Sequence, residues 1–87
     1  MSSMRLVSGS KGVRPLSSLR AGTRGTVRRV QATDGDRADR LAALGVTAGA
    51  PITVLQTFPG IVFLCDQTEL AVERAVAHTI LVKTAEE

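Results

Sequence analysis

Eighty-seven residues, 44% apolar and 22% charged, make one domain with a modest core, too apolar for a disordered chain and too short for two cores. The net charge is +3 with a pI near 10.0, but nine basic groups face three acids in residues 1–40, whereas residues 41–87 hold two basic groups and five acids. A single cysteine, Cys65, excludes an intrachain disulfide, no apolar run approaches the ~20 residues of a membrane span, and no apolar segment behind Arg5 makes a secretory signal, so a soluble cytoplasmic protein is expected.

Residues 1–14 are rich in Ser, Gly, Lys and Arg without periodicity and read as a flexible basic tail, with the domain running from Pro15 to residue 84 and a short tail at 85–87. Leu16-Ser17-Ser18-Leu19 is an apolar turn. Gly25 to Val30 is a strand by its β-branched residues, and Val27 and Val30, three apart, place a bulge near Arg28-Arg29. Asp36 to Gly45 predicts a short helix: Asp36 as N-cap, Leu41 and Leu44 at helical spacing, and Gly45 as the left-handed stop. Its buried face is expected to be Ala38, Leu41, Ala42 and Gly45, with Arg37 and Arg40 outside. A helix this short is not stable alone and must pack on the strands.

Gly49 turns the chain into a second strand, Ile52 to Thr57, and Pro59-Gly60 marks the next turn. Ile61 to Cys65 is apolar throughout, as in a strand buried on both faces. Asp66-Gln67-Thr68 is a hairpin loop before the alternating Leu70 and Val72. Ala75 to His78 is a helical turn, and Thr79 to Lys83 a closing strand. Short strands with frequent turns imply a small closed sheet of about five strands with one inserted helix and a short helical turn before the last strand, in the mainly β class. Leu16-x-x-Leu19-x-Ala21-Gly22 and Leu41-x-x-Leu44 followed by Ala48-Gly49 echo one another as two corners before strands.

The order Leu16-x-x-Leu19-x-x-Gly22-x-x-Gly25-x-Val27, then Arg40-Leu41-x-x-Leu44-Gly45-Val46-x-x-Gly49, resembles the FeoA family, as do Glu69-Leu70-Ala71-Val72, Ala75 and Ile80-Leu81-Val82. The resemblance spans Pro15 to Lys83, and it implies an SH3-like small barrel in which Gly22, Gly25, Leu41, Gly45 and Gly49 are structural. It also implies a non-enzymatic cytoplasmic accessory role in bacterial ferrous-iron uptake, with the transporter FeoB as partner. The same domain occurs as the C-terminal module of metal-dependent repressors, so a regulatory or oligomerisation module is an alternative.

No catalytic constellation is present: His78, the only histidine, has no nucleophile placed beside it by a motif, and Gly9-Ser10-Lys11-Gly12 lacks the spacing of a phosphate loop. No cofactor is expected. His78, Cys65 and Asp66, with Glu69 and Glu73, are the candidate metal ligands, but their spacing matches no ligand motif, and Cys65 at the end of an apolar strand reads as a buried hydrophobe. Proline-rich peptide recognition needs an aromatic groove, which Phe58 and Phe63 alone do not make. Binding to nucleic acid through Arg20, Arg24, Arg28 and Arg29 is the second alternative, weakened by the lack of stacking aromatics. The basic residues otherwise form a solvated face or a field that steers the protein to an anionic partner or membrane surface.

A protein partner is expected to dock on exposed apolar residues: Leu44 and Val46 at the helix end, with Phe58 and Pro59 in the following loop. The competing reading folds Phe58 back over the barrel mouth. Exposed strand edges also permit a homo-oligomer.

Overall fold

In the computed structural model residues 12–32 and 34–84 are described, so most of the expected N-terminal tail and residues 85–87 lie outside the described residues. Chain order gives β1 (Val13–Pro15), a 3-10 turn (Leu16–Ser18), β2 (Arg24–Val30), α1 (Gly35–Ala43), β3 (Pro51–Gln56), β4 (Ile61–Cys65), β5 (Thr68–Val72), α2 (Arg74–Ala77) and β6 (Ile80–Thr84). The strands form one antiparallel sheet in the order β1-β6-β2-β3-β4-β5. The mainly β class stands, but with six strands among the described residues, where the expected closure does not occur: β1 and β5 are the edges. β1 is three residues long and ends on Pro15, which lacks a backbone donor, so it propagates no further ladder. Val13 and Arg14, expected in the tail, pair instead with Lys83 and Val82.

The last strand lies between the first two. β6 pairs with β1 on one side and β2 on the other, and the Thr84 N–H donates to the Gly12 carbonyl at 2.7 Å. At Gly25 the backbones of β2 and β6 approach so closely that a Cβ would overlap the Lys83 carbonyl oxygen and stand 3.0 Å from Thr84 Cα. Only glycine fits there.

Alternation supplies the core. Ile52 and Val54 of β3, Ile61, Phe63 and Cys65 of β4, and Ile80 and Val82 of β6 are buried with Leu16, Leu19 and Ala77. Val62 and Leu64 are half-buried, so β4 is not covered on both faces as its unbroken apolar run suggested. An antiparallel hairpin commonly leaves one face toward solvent.

Two bulges redirect side chains. The first falls between Val27 and Arg29, where the valine spacing placed it, and the second between Val54 and Gln56 leaves Leu55 unpaired. The two Ala-Gly corners grip the β2–β3 ladder from its ends: the Gly22 N–H donates to Val54 O and the Gly49 N–H to Val27 O, each at 2.7 Å. Both glycines share φ +93.

Helix α1 starts earlier than the spacing predicted. Asp34, with extended φ and ψ, is the N-cap, and its carboxylate accepts from the Asp36 N–H at 2.9 Å. Asp36 therefore sits in the first turn, where a negative charge complements the helix dipole. Only Leu41 is buried; Ala38 and Arg37 are half-buried, and Ala42 and Gly45 are exposed. The nine-residue helix thus anchors to the core at a single side chain near its end. Its stop is a Schellman motif: Gly45, at φ +94, donates to Ala42 O at 3.0 Å, and Val46 donates to Leu41 O at 2.9 Å. Leu41 and Val46, the pair that such a motif brings together, are both in the core.

Replacing Gly25 with alanine should lower stability by about 1–3 kcal/mol, because the added methyl must displace β6 backbone and not a pliable side chain. Urea unfolding midpoints of Gly25→Ala and the parent measure it; an unchanged midpoint would mean the β2–β6 approach is not a constraint.

Candidate docking site

A proline and a glycine in Thr57-Phe58-Pro59-Gly60 force the turn between β3 and β4, and the Phe58–Pro59 peptide is cis. Phe58 is 79% exposed, so it does not cap the core; Pro59 beside it is also exposed. Leu55, three residues earlier, is 42% exposed and is left unpaired at the bulge. The sequence reading missed Leu55 as a site residue, although alternation from Ile52 and Val54 already put it on the outer face.

Arg74 braces the base of the turn. Its guanidinium donates to the Thr57 carbonyl at 2.6 Å and to the Ser17 carbonyl at 3.4 Å, the forked donor joining three separate segments. His78 Nδ1 lies 3.4 Å from Ser17 Oγ, so the 3-10 turn, α2 and the Phe58 turn gather at one end of the sheet. The site is therefore an exposed apolar tip on a hydrogen-bonded base. That arrangement suits insertion into a partner's pocket, because an exposed aromatic anchors an interface with little rotamer entropy to lose.

Other expected members lie elsewhere. Val46 is 1% exposed and belongs to the core, since the Schellman motif turns it inward. Leu44 is 47% exposed, but the neighbouring Gly45 carbonyl accepts from Cys65 Sγ at 3.4 Å. Cys65 ends β4, whose first residue follows the Phe58 turn, so about 13 Å of strand separates the two ends. Leu44 and Phe58 do not make one patch.

The candidate metal ligands are dispersed in the same way. Cys65 and Asp66 are at the Leu44 end and His78 at the Phe58 end, and no group of three His, Cys, Asp or Glu among the described residues holds metal-binding geometry. Cys65 is 2% exposed; burial, and secondarily the Asp66 carboxylate, raise its thiol pKa above the ordinary 9.0. Arg20, Arg24, Arg28 and Arg29 are all exposed, the last two together because of the first bulge. Among the described residues no helix is long and apolar enough to cross a membrane.

With this geometry in place, a family model described as the FeoA domain matches residues 14–84. Among solved structures, the FeoA protein of Chlorobium tepidum is 35% identical, with TM-score 0.74 over 82% of this chain and 70% of that one. A zinc-complexed FeoA from Stenotrophomonas maltophilia, described as an SH3 domain protein, shares the fold at 23% identity and TM-score 0.70, over 78% of this chain and 87% of that one. A manganese-dependent transcriptional repressor matches at 25% identity and TM-score 0.77, over 83% of this chain but 41% of the repressor. No curated protein sequence matches the chain.

The buried, neutral Cys65 thiol should react with a disulfide reagent at least about tenfold more slowly in native protein than in urea. Because its folded pKa is raised, the folded state keeps the proton that the unfolded state loses, so the thiol's contribution to stability is level below pH 9.0 and falls above it. Labelling rates and urea midpoints across that pH range check both; equal native and unfolded labelling rates would refute the burial.

Proposed function

The chain belongs to the FeoA family, and from that membership we propose that it is a non-enzymatic cytoplasmic accessory protein of ferrous-iron uptake that docks on the transporter FeoB through the Phe58 turn. The observation that carries the docking site is Phe58 itself, 79% exposed on a turn whose base is tied down by Arg74. A large aromatic held in water costs solvation free energy that only burial against another surface recovers. Leu55 is a second exposed apolar residue three positions before Phe58, and Pro59 stiffens the tip. Leu44, at the far end of β4, is a separate minor contact.

The role is one of binding. His78 meets the Ser17 hydroxyl at 3.4 Å on an exposed surface, but among the described residues no carboxylate is hydrogen-bonded to that imidazole to orient it as a general base. The scattered positions of Cys65, Asp66 and His78 support action on the transporter over carriage of the metal. The likeness to the manganese-dependent repressor favours a second reading, in which the same domain serves as a regulatory module within a longer protein.

Binding to purified FeoB in detergent at physiological salt tests the first reading. Saturable binding is expected, and Phe58→Ala should weaken it by about tenfold while leaving the unfolding midpoint unchanged. If the parent chain fails to bind, the partner is wrong; if Phe58→Ala binds as tightly as the parent, the partner stands and the site does not.

A further inference from the structure

The second surface of this protein is electrostatic. Register sets Val13, Lys83 and Thr26 in one row across β1, β6 and β2, with Arg24 opposite Thr53 two residues along. The bulge after Val27 turns Arg28 and Arg29 out together, so Arg24, Arg28, Arg29 and Lys83 all reach solvent from neighbouring strands. The strands β1, β6, β2 and β3 contain no Asp or Glu. The acids among the described residues are confined to α1 and its cap, the β4–β5 turn, β5 and the cap of α2. Two shallow concavities open here. One of about 470 Å³ has Arg24 and Lys83 at its walls with Thr26, Thr53 and Thr84 beside them, and one of about 220 Å³ is lined by Val13, Arg28 and Arg29.

We propose that this face binds the anionic headgroups of a lipid surface. Four cations uncompensated by any carboxylate on their own strands, with hydroxyl donors between them, match the chemistry of phosphate esters. The surroundings favour a lipid over nucleic acid. Half-buried Val13 and Leu81 and exposed Pro51 are interleaved with the cations, as suits a headgroup boundary. No aromatic lies on these four strands to stack a base, since Phe63 is in the core and Phe58 is on the β3–β4 turn. Helix α1 balances Asp36 and Asp39 with Arg37 and Arg40 behind the Asp34 cap, so it offers no net basic face to a duplex groove. An anionic plane attracts the four-strand face, whereas α1 with its cap sets three acids against two arginines and gains nothing from such a plane, which gives the protein one preferred orientation. The inference stands independently of the partner assigned to Phe58.

Co-sedimentation with phosphatidylcholine vesicles, with and without phosphatidylglycerol, tests it on the full chain. Binding only to the phosphatidylglycerol vesicles, weakening as salt rises, is expected. The triple variant Arg24→Gln, Arg28→Gln, Arg29→Gln should lower partitioning by about a hundredfold at an unchanged unfolding midpoint, and Phe58→Ala should bind as the parent does. Absence of binding by the parent overturns the proposal, as does undiminished binding by the folded triple variant. Tighter binding to a DNA duplex than to the anionic vesicles at the same salt overturns it in favour of nucleic acid.

Discussion

The fold depends on the insertion of β6 between β1 and β2. Each of those strands presents one side to β6, so neither gains that ladder until the last segment of the chain arrives. The close backbone contact at Gly25 is where this insertion is tightest. Pairing between the beginning and the end of a chain is entropically costly to initiate and is characteristic of slowly folding β proteins. The β3–β4–β5 part is different, being two successive hairpins with local register. The architecture thus combines a locally encoded meander with a seam that closes late.

Both bulges lie on strands whose inward residues fill the core, and each places extra side chains on the outside without disturbing that filling. In β2 the result is a pair of arginines, and in β3 Gln56 follows Leu55 to the exposed side. The charged face thus owes its paired arginines to a bulge, whereas the apolar tip is carried by the Thr57–Gly60 turn. Separation of the two matters physically. Apolar docking is strengthened by removal of water, whereas the basic face works through a field that salt screens.

Much of this was legible in the residues. The Val27–Val30 spacing located the first bulge, the RLxxLGV box located the helix stop, and Pro59-Gly60 located the turn that carries Phe58. Elsewhere the local chemistry is degenerate. Asp34 and Asp36 are equally good caps, and only the extended backbone at Asp34 decides between them. Val46 looked exposed because it follows a helix, yet the glycine before it reverses the chain and sends it inward; Leu41-Leu44-Gly45-Val46 already carried that signal. Closure was not legible, because whether edge strands meet depends on accumulated twist and not on any single motif. The separation of Leu44 from Phe58 follows from pairing between distant segments, which one sequence does not display.

The hydrogen bond from Thr84 to Gly12 places the entry and exit of the domain side by side. A unit whose two ends emerge together can be spliced into or appended to another polypeptide with little distortion of either. The matched repressor accommodates this fold within less than half of its own length. Portability between proteins is thus a mechanical property of where β6 ends.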